Sequence, residues 1–340
     1  MQEQKMHQFT LLTRTLVLNL IVILGMFQTS TLRADQITVG YFLEWPTPSQ
    51  YAQAKKLYEK ALGVDVKWVS FDAGTAMSAA MASGDVQISF SHGIPPFVVA
   101  TSAGQDIQIV DIAVSYSDNE NCVVREDLEI DKHNAKELEG KKAGVPIGTA
   151  AHYGFLKQME HFGVKASSMK IVDMAPDASA AAFANGNLDI VCGWGGALKR
   201  MKEHGNILLR GAEKEQLGIQ VFDATTVNTQ WAQENSQLLA KFLKVTASMN
   251  KKYSEKSSQQ MLPVIAKSAG MSVVTAQEQI QTFKFPDMQE QLSSQWLGGG
   301  TQKFLKAVGD FFVQQGTIPK ALNNYNDAVD ISYLEAAQKL

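Results

Sequence analysis

The chain has 340 residues, of which 45% are hydrophobic and 19% are charged, and its formal net charge is −3. This composition favours a folded protein with a sizeable core and excludes a long disordered or coiled-coil chain. It has no basic stripe, which argues against a nucleic acid or an anionic membrane surface as partner. The two cysteines are too few for a disulfide scaffold and too far apart for a zinc site.

The amino terminus has the pattern of an export signal. Lys5 and Arg14 precede an apolar run at residues 16–27, and Ala34 stands before a polar residue. The run is shorter than the roughly 20 apolar residues that cross a bilayer. We therefore predict that residues 1–34 are a secretory signal cleaved after Ala34, and that the mature protein is periplasmic.

A hidden duplication organises the rest of the chain. Residues 66–93 recur in outline at residues 168–195, and each copy reads as strand, alanine-rich helix, glycine and strand. Gly84 and Gly186 stand where a helix ends in a residue with positive φ. A further strand and helix precede each copy. The pattern predicts an α/β protein with two lobes, each a mainly parallel sheet flanked by helices, with a ligand cleft between them.

The domain boundaries follow from this duplication. We assign residues 35–117 to the first part of lobe 1 and residues 118–223 to lobe 2. Residues 224–340 then return to lobe 1, and from Trp231 onward the pattern is mostly helical.

Glycine-containing turns follow several predicted strands and open helices, at Gly74, after His92, at residues 148–151 and around Trp194. Free amides at a helix start, together with the helix dipole, bind an anion without a cationic side chain. The turn formed by Gly148, Thr149, Ala150 and Ala151 leaves its backbone least obstructed. Any strand-to-helix turn has such amides, so a single turn does not indicate a ligand site. The prediction of an anion site rests on several of these turns meeting at one cleft.

Aromatic and acidic residues at the same strand ends suit a cation. Glu44 and Trp45 follow the first strand, Trp194 follows a later one, and Asp223 lies where the chain returns to lobe 1. An indole face attracts an ammonium group, and a carboxylate adds a charge-assisted hydrogen bond. Core packing of the tryptophans is the alternative. An anion site facing a cation site predicts a receptor for a small zwitterion.

Signals for an enzyme, a metal site or a cofactor are weak. The histidines show no ligand spacing, no phosphate loop or nucleophile elbow is present, and we expect neither cofactor nor metal. His92 and His152, both placed at the cleft, are the only candidates for a reactive side chain. Cys122 and Cys192 lie in apolar strands and form either a disulfide, if those strands are neighbours, or two buried thiols.

Several segments resemble the periplasmic substrate-binding proteins of taurine ABC transporters. The resemblance runs over nearly the whole mature chain, and the segments that carry it are 71–76, 82–88, 145–153, the Trp194 turn, Phe222-Asp223, 315–319 and 324–325.

The resemblance implies a type II periplasmic binding protein fold that closes on its ligand and delivers it to a membrane permease. The sulfonate would lie against residues 148–151 and near Gly74, and the amine would face Asp223 beside Trp194. We therefore expect a monomeric, non-catalytic taurine-binding protein. The alternatives are a receptor for another alkanesulfonate or small amine, or an enzyme of the pyrimidine-precursor synthase type on the same fold.

Overall fold

The computed structural model describes residues 36–116 and 118–340. The predicted signal segment and its cleavage site lie outside these residues. In the part of the chain that is described, no helix is long and apolar enough to cross a membrane.

Strands and helices alternate through the first two thirds of the chain, and helices dominate the last third. The strands are β1 (Gln36–Phe42), β2 (Asp65–Phe71), β3 (Ile88–Gly93), β4 (Ile107–Ser115), β5 (Glu120–Arg125), β6 (Lys142–Val145), β7 (Lys170–Asp173), β8 (Ile190–Trp194), β9 (Gly205–Ile207) and β10 (Phe222–Asn228). The helices are α1 (Pro48–Ala54), α2 (Leu57–Leu62), α3 (Gly74–Ala82), α4 (Ile94–Ser102), α5 (Ala150–His161), α6 (Pro176–Ala184), α7 (Gly195–Met201), α8 (Gly211–Gln216), α9 (Thr229–Glu234), α10 (Ser236–Lys252), α11 (Ser258–Ser268), α12 (Val273–Ile280), α13 (Met288–Gln291), α14 (Gly300–Gln314) and α15 (Ser332–Gln338).

The strands form two five-stranded sheets of the same design. The first has the order β2-β1-β3-β10-β4 and the second the order β7-β6-β8-β5-β9. In each sheet the first three strands are parallel, and the fourth runs antiparallel to both of its neighbours. The predicted pair of mainly parallel α/β lobes is thereby confirmed.

The duplication seen in the sequence is also a duplication of structure. Helices α3 and α6 occupy corresponding positions 102 residues apart, each between two parallel strands. Gly84 and Gly186, which follow these helices, have φ of 83° and 74°. Both are the left-handed residues that the sequence predicts, because glycine adopts positive φ without a Cβ clash.

Two helical stretches are interrupted. Helices α1 and α2 are separated at Lys56, whose φ is 53°. Helices α9 and α10 are separated at Asn235. Hydrophobic periodicity continues across both interruptions, so it does not reveal them.

The carboxyl-terminal helices cover the first sheet. Helix α10 packs against α1 and α15, and α14 packs against α4. A core of aliphatic and aromatic side chains lies beneath them, and β3 is buried along its whole length. This packing fixes the ends of β1, β3 and β10, which carry the candidate site.

Candidate functional site

A small cavity of about 20 Å³ lies between the two lobes. Elements of both lobes line it. The residues from the first lobe are Phe42, Trp45, Gly74, Gly93, Pro96, Tyr116 and Asp223, and those from the second are Glu120, Thr149, Ala150 and Trp194. The sequence-predicted residues brought together here are therefore Trp45, Gly74, Thr149, Ala150, Trp194 and Asp223.

The amino terminus of α5 supplies two free amides. Thr149 caps the helix, with its Oγ1 accepting from the His152 amide at 3.4 Å and donating to the Pro146 carbonyl at 2.6 Å. The amides of Ala150 and Ala151 have no acceptor among the described residues. Free amides at the positive end of a helix dipole attract an anion.

A second helix from the other lobe begins at the same place. Helix α3 starts at Gly74, which lines the cavity, and its first turn begins from the carbonyl of Ala73. A Cβ on Gly148 would lie 3.3 Å from Cγ2 of Thr75, so the two helix starts meet across the cleft. An anion in this position would contact both lobes.

Asp223 is the buried carboxylate of the first lobe. The Ser91 hydroxyl donates to its Oδ2 at 2.7 Å, and the Tyr116 hydroxyl donates to its Oδ1 at 2.8 Å. Burial raises the pKa of Asp223 to about 7, although both hydrogen bonds favour the ionised form. A cation that binds beside this buried carboxylate would favour its ionised form and lower its pKa.

Backbone strain helps to place this carboxylate. Ser91 has a φ of 67°, which is unusual for a residue other than glycine, and its hydroxyl both accepts from Trp45 Nε1 at 2.9 Å and donates to Asp223. Strain of this kind persists where the surrounding structure requires it, often at functional sites.

Glu120 is a second carboxylate in the cavity, and sequence reasoning missed it. It is the first residue of β5 and pairs with Trp194 on β8. Burial, together with the charge of Asp223, raises its pKa to about 8 against the attraction of Lys214. Lys214 is itself buried and donates to the Glu120 carbonyl at 2.5 Å.

Aromatic rings form the remaining walls. Trp45 packs edge-on against Tyr116, with 4.8 Å between ring centroids. Phe42 and Trp194, one from each lobe, lie 5.9 Å apart between centroids. Rings around paired carboxylates exclude water, and an aromatic ring attracts a cation that approaches its face.

Two predicted residues lie behind the cavity rather than in it, and this corrects their expected contact with ligand. His92 is fully buried, with Nδ1 bonded to Thr226 Oγ1 and Nε2 close to Ser78 Oγ and the Gly74 carbonyl. His152 is buried, does not line the cavity, and packs against Phe312. Burial lowers the pKa of each histidine to about 4, so both rings are neutral at pH 7.

Gly148 and Glu44 are also corrected. The Gly148 amide donates to His152 Nδ1 at 3.2 Å, so the predicted run of bare amides is reduced to those of Ala150 and Ala151. Ala151 is buried and is not among the lining residues, so only its backbone amide at the start of α5 could reach a ligand. Glu44 lies outside the cavity lining, and its carboxylate accepts from Arg200 at 3.1 and 3.3 Å.

Cys122 and Cys192 form a disulfide that joins adjacent positions of β5 and β8. Neither sulfur therefore exists as a thiol. Among the described residues no cluster of histidine, cysteine, aspartate or glutamate could hold a metal ion.

The cavity thus has free helix amides from both lobes, two carboxylates from opposite lobes and aromatic walls. Such a site can hold a small molecule that carries an anion and a cation, because each charge finds a partner when it leaves water.

Comparison with known proteins agrees with this geometry. The family model described as "NMT1/THI5 like" matches residues 47–282. The chain is 25% identical to the taurine-binding periplasmic protein of Escherichia coli (strain K12) over 308 residues, which are 89% of this chain and 94% of that one.

Two solved structures show how widely the fold is shared. The alkanesulfonate-binding protein of Xanthomonas axonopodis pv. citri, bound to MOPS, has a TM-score of 0.73 and 20% identity, with 87% of this chain and 98% of that one covered. The desulfurization enzyme DSZB has a TM-score of 0.63 and 14% identity, with 90% and 99% covered. The predicted periplasmic binding protein fold is confirmed by these matches, and the chain belongs to the NMT1/THI5-like family.

Proposed function

We propose that this chain is the periplasmic solute-binding component of an ABC importer and that it captures taurine. The observation that carries the proposal is the cavity itself, where Asp223 and Glu120 come from opposite lobes and share a space with the helix starts at Gly74 and Ala150. The sulfonate would accept from the helix amides, and the ammonium group would lie between the two carboxylates. The similarity to the Escherichia coli taurine-binding protein supports this choice of ligand.

The residues of the cavity favour binding over catalysis. Neither cysteine nor histidine is among its lining residues in the described chain. DSZB shares the fold at 14% identity, but the two cysteines here are joined to each other and His92 and His152 lie behind the wall. We infer a receptor that works as a monomer, because one chain supplies both ends of the site.

The two lobes give a mechanism for closure. We propose that residues 36–116 and 222–340 form lobe 1 and residues 118–221 form lobe 2. Phe222 and Asp223 pair within the first sheet, so the second boundary precedes them rather than following Asp223. A ligand held by both lobes stabilises the closed form, which the permease would then recognise. The disulfide suits export to an oxidising compartment such as the periplasm.

Calorimetric titration with a matched set of ligands tests the function. We expect taurine to bind at least tenfold more tightly than ethanesulfonate, which lacks the amine, and than ethylamine, which lacks the sulfonate. Betaine tests the need for N–H donors, and sulfate tests the anion end alone. Equal affinity for ethanesulfonate and taurine would instead support a general alkanesulfonate receptor, and no binding of any sulfonate would overturn the proposal.

A further inference from the structure

A polar seam joins the two lobes at the mouth of the cavity. Glu44 follows β1 of the first lobe, and Arg200 lies on α7 of the second. Arg200 Nη1 donates to both Glu44 carboxylate oxygens, and its Nη2 forms an ion pair with Asp177. One guanidinium group therefore connects carboxylates of both lobes.

The backbone on both sides is shaped for this contact. A Cβ on Gly196 would lie 2.0 Å from Glu44 Oε2, and one on Gly195 would lie 2.7 Å from the Glu44 carbonyl oxygen. Gln279, with its amide oriented to satisfy both atoms, donates to the Glu44 carbonyl at 3.2 Å and accepts from the Gly196 amide at 3.1 Å. A side chain at position 196 would displace the Glu44 carboxylate from its place beside Arg200, and one at position 195 would meet the backbone of Glu44.

A second ion pair crosses beside the first. Lys199, the neighbour of Arg200 on α7, donates to Glu278 Oε2 at 2.7 Å and to Thr275 Oγ1 at 3.2 Å. Both partners lie on α12, which packs on α11, and α11 packs on α1 of the first lobe. The two basic residues of one helix thus reach two separate parts of lobe 1.

Helix α7 begins directly after Trp194, so these contacts also place the Trp194 ring. Phe42 and Trp194 line both the inner cavity and an outer groove of about 130 Å³ at its mouth. The two rings therefore stand between the bound position and the outside.

We propose that Arg200 and Lys199 are positioning residues that latch the lobes and hold Trp194 over the occupied cavity. The inference rests on the proposed function. Neither residue touches the cavity, so each acts on affinity only through closure, chiefly by slowing the escape of ligand. Exposed ion pairs are weak singly and are screened by salt. A zwitterion carries no net charge, so its own attraction to the protein should depend little on salt. If the ion pairs of Arg200 and Lys199 hold the lobes closed, salt should nevertheless weaken its binding.

The test compares the wild type with Arg200→Gln by stopped-flow and calorimetric titration of taurine, at about 20 mM and about 500 mM NaCl. We expect wild-type Kd to rise about fivefold with salt, through a faster off-rate. Arg200→Gln should already bind about fivefold more weakly at low salt and should respond less to added salt than the wild type, because only the Lys199–Glu278 pair remains. Arg200→Lys should recover part of the loss. Arg125→Gln is the matched control, because Arg125 pairs with Asp127 within one lobe.

A second pair of variants tests the geometry. Gly196→Ala should displace the Glu44 carboxylate from Arg200 and weaken taurine binding about fivefold, as Arg200→Gln does, and the two changes in one chain should cause no larger loss than either alone. If Arg200→Gln keeps the wild-type Kd and salt response, the latch is refuted while taurine binding stands. The same conclusion follows if Arg125→Gln loses as much affinity as Arg200→Gln. If the wild type does not bind taurine, the proposed function itself fails.

Discussion

Replacing Asp223 by asparagine tests the proposed cation site most directly among single substitutions in the cavity. Asparagine has the same shape, and its amide keeps hydrogen bonds to Ser91 and Tyr116 if one of these hydroxyls turns to accept from the NH2 group. It removes one negative charge from the place where the ammonium group is proposed to bind. The change therefore isolates charge from packing.

The magnitude follows from the burial of this carboxylate, which is 3% exposed. Removing one member of a buried charge pair costs about 2–5 kcal/mol of binding free energy. Because Glu120 remains as a second carboxylate, we expect the lower part of this range. A loss of about 2–3 kcal/mol corresponds to a Kd that is higher by about 30- to 150-fold.

Asp111→Asn supplies the matched control. Asp111 is also a buried carboxylate of the first sheet, accepts from Thr225 Oγ1 at 2.9 Å and has a pKa raised by burial, but it does not line the cavity. Calorimetric titration of taurine at about pH 8 should show a large loss of affinity for Asp223→Asn and less than a threefold change for Asp111→Asn. Wild-type affinity in Asp223→Asn, or equal losses in both variants, would refute the assignment of the cation site.

Three further predictions concern pH, the disulfide and the cavity wall. The raised pKa values of Asp223 (about 7) and Glu120 (about 8) mean that the empty folded protein holds protons that the unfolded chain has released. The free energy of unfolding should therefore fall from pH 6.5 to 8.5, by at most about 1.4 kcal/mol per pH unit for each group. Taurine affinity should rise over the same range. A thermal unfolding temperature of the ligand-free protein that does not change with pH would contradict the pKa shifts. Replacing Cys122 and Cys192 together by serine should lower the free energy of unfolding by about 2–5 kcal/mol, measured by urea denaturation, and no change would show that the bridge does not stabilise the fold. Trp194→Ala should raise Kd for taurine by about 2- to 30-fold as the ring contact with the ammonium group is lost, and unchanged affinity would remove Trp194 from the site.

The fold was predictable because its repeated unit is local. Each copy places an alanine-rich helix, a glycine with positive φ and an apolar strand in fixed order, so a shared spacing identifies both lobes. The same local signals predicted a turn that opens a helix at residues 148–151 and a strand that ends near Trp194, although the structure includes Trp194 as the last residue of β8. Asp223 could be selected because it lies where the chain crosses back to the first lobe.

Other parts of the site depend on contacts that no spacing shows. Glu120 enters the cavity only because β5 lies beside β8, which sets it opposite Trp194. The Gly148 amide is lost to ligand because the His152 ring folds back one helical turn to accept from it. Glu44 has the negative charge needed to bind a cation, but its carboxylate forms an ion pair with Arg200 of the other lobe. In each case the outcome depends on which residue lies beside the group in the folded protein. That neighbour is distant in sequence or is reached by a side-chain orientation that the sequence does not show.

A crystal structure of the protein with taurine bound tests the central claim most directly, with the sulfur located by its anomalous scattering. The account predicts the sulfonate oxygens within hydrogen-bond distance of the Ala150 and Ala151 amides, and the nitrogen between the carboxylates of Asp223 and Glu120. A taurine molecule in the reverse orientation, or one bound outside the space between the lobes, would contradict it.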